Sequence, residues 1–190
     1  MALPGVYKIF NERWCNQTVW IISDTHFGDE DLRAGKPNRP SDEELVRMIN
    51  SKVGRKDTLI CLGDVGNVEF AKQLRGYKVL ICGNHDAGKT NYEEVFDEVY
   101  TGALMIGEKL LLSHEPVDVP WAFNIHGHDH AGKKRKNHLN VCADVCEYTP
   151  VNLNQFLKSG PTSKVVTIHR ETIDAATVRK AKRGGKKIGK

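Results

Sequence analysis

The feature that most restricts the fold is a set of short apolar, β-branched runs that stop abruptly at polar, metal-compatible residues. "TVWIIS" (18–23) runs into Asp24 and His26 of "DTHFG", and "TLICL" (58–62) into Asp64 of "GDVGN". "YKVLIC" (77–82) ends in "GNHD", which delivers Asn84, His85 and Asp86 in consecutive positions. "KLLLS" (109–113) stops at His114, and "AFNIH" (122–126) leads into "GHDH", with His128 and His130. Apolar runs that lack strict alternation fit strands covered on both faces. In open α/β sheets ligands bind beyond the carboxyl ends of the strands, so these five ends imply one site assembled from five loops. A turn accounts for Gly83 and Asn84, which tolerate left-handed backbone angles. It has no use for His85 followed by Asp86.

Between the first three runs the pattern turns helical. "SDEELVRMINSKV" opens with capping-box spacing from Ser41 to Glu44 and sets Leu45, Met48 and Ile49 on one side. "VEFAKQL" (68–74) follows Asn67, a good N-cap. The first half therefore reads β-α-β-α-β. The second half is strand-rich, with a turn expected at Gly107-Glu108 and further runs "HLNVCA" (138–143) and "KVVTIH" (164–169). An α/β sandwich follows, sheets inside and helices outside.

The chain has 190 residues, enough for one domain with a sizeable core. No run is long enough to cross a bilayer, and "MALPGVYKIFNERWCNQ" lacks a basic-then-apolar signal pattern. We expect a cytoplasmic protein. The five cysteines are odd in number and form no CxxC pair, which argues against a disulfide framework or zinc knuckle and for a reducing compartment. Of the net charge of +4, the last twelve residues, "RKAKRGGKKIGK", supply seven positive charges and no acid, leaving the rest at −3. The expected organisation is one domain over 1–178 and a basic, disordered tail over 179–190. Attraction to phosphate backbones is the functional alternative for that tail.

The strand-end residues comprise two carboxylates, an amide and several imidazoles, without a thiolate. Such oxygen and nitrogen donors suit Mn²⁺, Fe, Co²⁺, Ni²⁺ or Zn²⁺. They are too many for one tetrahedral ion and suit two adjacent ions. Taken in order, "DTH", "GD", "GNHD", a lone His and "GHDH" resemble the calcineurin-like metallophosphoesterases. The chain is similar in length to their small single-domain bacterial or phage members, and "NVCADVCEYTPV" (140–151) is similar to a segment of one bacterial subgroup.

That resemblance implies a four-layer αββα fold, a two-sheet β-sandwich flanked by helices. It implies a first metal on Asp24, His26, Asp64 and His130, and a second on Asp64, Asn84, His114 and His128, with Asp64 bridging. The cofactors would be two divalent ions, Mn²⁺ foremost. Hydrolysis would proceed by in-line attack of a metal-bridging hydroxide on phosphorus. His85, next to ligand Asn84, would serve the leaving oxygen as acid, with Asp86 orienting it. The substrate would be a phosphodiester or a nucleotide-type ester, with nucleic acid among the partners and no membrane role. The competing readings are a non-catalytic, metal-binding interaction module on the same fold, and a phosphomonoesterase or protein phosphatase. Lys133, Lys134, Arg135 and Lys136 would clamp further phosphates of the substrate, or else form an exposed charged turn. His138 and His169 read as packed or surface residues, and His126 as a strand residue supporting its neighbours.

Overall fold

The computed structural model describes residues 1–86 and 92–166. Its strands form two sheets stacked face to face. The first has the order β4-β3-β2-β1-β9, from Val19–Ile22 (β1), Thr58–Cys61 (β2), Tyr77–Ile81 (β3), Glu98–Tyr100 (β4) and Val151–Asn152 (β9). Strands β1 to β4 run parallel, and β9 is antiparallel to β1. The second sheet has the order β5-β6-β7-β8, from Leu104–Gly107, Leu110–Leu112, Phe123–His126 and His138–Asn140. Here β5 and β6 form the expected hairpin, while β6, β7 and β8 are parallel.

The period-two geometry of a strand explains how runs without obvious alternation are buried on both sides. Val19, Ile21, Ile60, Leu62, Val79 and Ile81 join Ile106, Leu110, Leu112, Phe123 and Ile125 in the core between the sheets. Their neighbours Ile22, Leu59, Cys61 and Leu80 face the other way and pack on Leu45, Val46, Ile49, Val53, Ala71 and Leu74. Those partners come from and around two helices, Asp42–Lys52 (α3) and Val68–Ala71 (α4). The expected caps start them: Ser41 Oγ accepts from the Glu44 N–H at 3.2 Å, and Asn67 Oδ1 from that of Glu69 at 2.9 Å. This is the two-sheet α/β sandwich. The outer face of the second sheet carries Asn124 and His138, which bond to residues of loop 115–121 through Val117 and Asp118.

Three helices lie outside the sequence pattern: Lys8–Trp14 (α1), Glu30–Gly35 (α2) and Leu153–Lys158 (α5). Each spans two turns or fewer, too few for an apolar face to repeat. Trp14 of α1 and Leu157 of α5 are buried in the inter-sheet core, while local caps start α2, through Asp29 and the Leu32 N–H, and α5, through Asn152 and the Gln155 N–H. The strand expected over 164–169 is not formed at its start, where Pro161–Lys164 is a 3-10 turn. Proline at its first position fixes a helical φ and donates no N–H. The rest of that run, His169 and the tail 179–190 lie outside the described residues.

Ile60 is fully buried at the centre of β2. Ile60→Ala should cost about 2–5 kcal/mol of unfolding free energy, read from the midpoint of urea denaturation.

Candidate metal centre

The carboxyl ends of β1, β2, β3, β6 and β7 meet at one end of the sandwich, and their loops are held in an uncommon backbone state. Asp24, His26, Asp64 and His128 have φ of 58°, 42°, 51° and 64°. Left-handed angles at non-glycine residues cost about 1–3 kcal/mol each and persist where their surroundings over-determine them. The surroundings here are extensions of the β1–β2 pairing: Asp24 N–H reaches Gly63 O at 3.0 Å and His26 N–H reaches Asp64 O at 2.9 Å. The glycine before each motif clears space. A Cβ on Gly83 would lie 2.2 Å from Asp64 Oδ1, and one on Gly127 would lie 2.3 Å from Asp24 Oδ2.

Four side chains then converge at one position. His114 Nε2 lies 2.8 Å from Asn84 Oδ1, 3.1 Å from His128 Nδ1 and 3.3 Å from Asp64 Oδ2. His114 Nδ1 is 2.8 Å from the Leu62 carbonyl, which can only accept, so the ring proton sits there and Nε2 presents a lone pair. Amide oxygen, carboxylate oxygen and imidazole nitrogen thus face one another with lone pairs inward. With both rings neutral, that arrangement is repulsive unless a proton or a metal cation lies among them. These donors fit a divalent ion.

A second group stands beside it. Asp24 Oδ1 is 3.6 Å from His130 Nε2 and 3.9 Å from His26 Nε2. Asp24 Oδ1 and His26 Nε2 are buried without a hydrogen-bond partner among the described residues. Such orphans are rare in folded proteins and call for a bound water or ion. Asp64 Oδ2 belongs to both groups, 3.6 Å from His26 Nε2 and 3.3 Å from His114 Nε2. The sets Asp24, His26, His130 and Asp64, His114, His128 each bring their donor atoms within 4.8 Å of one another.

Burial opposes ionisation of Asp64, but His114 and the His85 N–H outweigh it and hold the carboxyl below the ordinary range. Burial also opposes protonation of His114, yet the Asp64 carboxylate raises it. His26 goes the other way: burial keeps its imidazole neutral despite Asp64 and Asp24. An ionised Asp64 with a neutral His26 beside it is the state a cation needs.

His85 stands exposed at the mouth, its Nε2 3.9 Å from Asp64 Oδ2. Asp86 differs from expectation. Instead of backing the His85 ring, its buried carboxylate accepts the N–H groups of Asp64, Val65 and Gly83 at 2.7, 3.0 and 2.8 Å. Three converging amides are stronger competition for a carboxylate than one exposed imidazole, and the result clamps loop to loop. Lys133, Lys134, Arg135 and Lys136 are exposed, and Arg135 pairs with Asp118 at 3.2 Å. His126 donates Nδ1–H to Gly127 O at 2.8 Å, with its ring edge on His138.

Sequence reasoning passes over the cations nearest the ligands, Lys36 and Arg39, and the carboxylate between them, Asp144. Asp144 Oδ2 accepts from His130 Nδ1 and from Lys36 Nζ at 2.9 Å; Oδ1 accepts from Arg39 Nη1 at 3.0 Å and the Tyr148 hydroxyl at 2.9 Å. The signal lay in "NVCADVCEYTPV", the segment quoted for its similarity to a bacterial subgroup.

The profile of the calcineurin-like phosphoesterase superfamily domain matches residues 18–146. The uncharacterized protein MJ1445 of Methanocaldococcus jannaschii is 31% identical over 176 residues, covering 78% of this chain and 94% of its own. A protein of unknown function from Aquifex aeolicus, AQ665, superposes with a TM-score of 0.62 at 27% identity, covering 74% of this chain and 98% of its own. The Pseudomonas putida nuclease MPE reaches a TM-score of 0.45 at 21% identity over 59% of this chain and 61% of its own, too remote to bear on function.

Gly83→Ala should expel Asp64 from its place and lower the divalent metal retained per chain. Gly35→Ala, where an added Cβ meets nothing within 4 Å, should leave retention unchanged. Elemental analysis after dialysis against Mn²⁺ reads both.

Proposed function

As the chain belongs to the calcineurin-like phosphoesterase superfamily, we propose that it is a metal-dependent hydrolase of phosphoesters, acting on diesters or nucleotides in preference to phosphoproteins. The observation that carries this reading is the shared Asp64 oxygen, 3.3 Å from His114 Nε2 on one side and 3.6 Å from His26 Nε2 on the other. One carboxylate between two donor groups supports a two-ion centre. The first position is proposed on Asp24, His26, Asp64 and His130, the second on Asp64, Asn84, His114 and His128. Two divalent ions held there would supply an activated water and positive charge for the phosphoryl oxygens.

The chain's own residues do the rest. Asp64 keeps its second oxygen on the His85 N–H at 2.9 Å, so the bridge and the base of the His85 side chain are positioned together. Asp24 likewise fixes the His128 backbone through its Oδ2, at 2.9 Å, leaving Oδ1 free to bind. His85 stands in solvent over the bridge, where its imidazolium can donate a proton to the departing alkoxide. Asp86 contributes by holding the two loops that carry Asp64 and Asn84. Asn84, His85 and His128 are exposed, and this open mouth favours small or flexible substrates over a folded protein.

The test is a metal-reconstituted screen of bis-aryl diesters, aryl monoesters and nucleotides. We expect diester turnover to exceed monoester turnover; hydrolysis of none of them would sink the reading. Asp64→Ala should abolish metal retention and turnover together. His85→Ala should retain metal but lose roughly 10²–10⁴-fold in rate on alkyl esters. The deficit should shrink on nitrophenyl esters, whose leaving group needs no proton. Equal deficits on both would remove His85 as the acid.

A further inference from the structure

Asp144 is 30 to 120 residues from the other donors of the centre except His128 and His130, yet it closes a continuous path between two of them. Arg39 is buried, its guanidinium 5.6 Å over the Tyr148 ring. Its Nη2 donates to the carbonyls of Asp24 and Thr25 at 3.1 and 2.5 Å, while Nη1 donates to Asp144 Oδ1 at 3.0 Å. Asp144 Oδ2 in turn receives His130 Nδ1. The path runs from the Asp24 backbone through Arg39 and Asp144 to the His130 ring. At its two ends stand Asp24 Oδ1 and His130 Nε2, 3.6 Å apart.

We propose that Asp144 and Arg39 form a positioning pair that sets the affinity of the Asp24–His26–His130 position for its cation. This rests on the two-ion reading above. The chemistry is specific to an ionised carboxylate. Asp144 is surrounded by donors: Oδ2 accepts from His130, Lys36 and, weakly at 4.0 Å, the Cys142 thiol, and Oδ1 from Arg39 and Tyr148. With Nδ1–H held by Asp144, the lone pair of His130 is fixed on Nε2, the atom facing Asp24. A carboxylate behind a metal-binding imidazole fixes its tautomer and raises its basicity, and losing such a partner typically weakens metal affinity 10–100-fold. Arg39 neutralises the buried carboxylate and locks it to the loop carrying Asp24 and His26. A lysine could not span both contacts, since it lacks the planar fork. The other position has its own device: His114 is set by the Leu62 carbonyl and makes no contact with Asp144 among the described residues.

The experiment titrates the full-length, metal-free chain with Mn²⁺ by calorimetry. Wild type should show two binding events, and the one that survives His114→Ala reports the Asp24 position. Asp144→Asn places an NH₂ group against donors and should weaken that event 10–100-fold while leaving the other within about twofold. Arg39→Lys should weaken the same event and serves as the second variant if Asp144→Asn does not fold. Unchanged affinities in these variants would overturn the proposal, as would equal weakening of both events. Absence of any Mn²⁺ binding by wild type would overturn the two-ion reading itself, a separate outcome.

Discussion

The organising constraint is the mutual repulsion of lone pairs at the end of the sandwich. His114, Asn84, Asp64 and His128 aim acceptor atoms at one another across 2.8–3.3 Å, and Asp24 and His26 bury acceptor atoms with no donor to meet them. Leu62 and Asp144 draw one imidazole proton of His114 and one of His130 to the far side, so a neutral ring at either position turns its lone pair inward. The polypeptide accepts this cost because the loops leave no alternative. The left-handed backbone at four of these residues and the close approach at Gly63, Gly83 and Gly127 belong to the same bargain. Strain, bare backbone and uncompensated charge coincide where a cation would relieve them.

What surrounds the donors divides labour clearly. Asp86, whose carboxylate bonds to backbone N–H groups of two loops, ties those loops together. Asp144 gathers two cations, a phenol and an imidazole. Burial works against its ionisation, but His130, Lys36, Arg39 and Tyr148 hold it far below the usual carboxylate range. Its neighbour Tyr148 is pushed up to about 12 by burial and by that same charge. The buried Cys142 thiol, close to Asp24, is raised by burial.

Much of this was legible in the sequence because strand ends are local events. The run "TLICL" followed by "GD" announces both a buried strand and the donor at its end, and the same holds for "YKVLIC" with "GNHD". The helices α3 and α4 were legible through caps at Ser41 and Asn67. Asp86 was assigned to His85 on adjacency alone, whereas the fold brings three amides to it from two loops. Arg39 lies 105 residues from Asp144, and no period or motif joins them. The short elements α1, α5 and β9 owe their form to burial of Trp14 and Leu157 and to pairing with β1, interactions that exist only once the sandwich has closed.

The two sheets contribute unequally placed halves of the centre: Asp24, Asp64 and Asn84 follow strands of the first, His114, His128 and His130 follow strands of the second. Apolar packing joins the inner faces along the core, and hydrogen bonds tie the layers at this end, from Ser23 N–H to Val141 O at 2.9 Å, Ala143 N–H to Ser23 O at 2.8 Å and His128 N–H to Asp24 Oδ2 at 2.9 Å. A bound ion would add a rivet across the seam to the hydrogen bonds that already cross it. Thermal endurance should then climb with the logarithm of free metal concentration above its dissociation constant, making folding itself a reporter of ion supply.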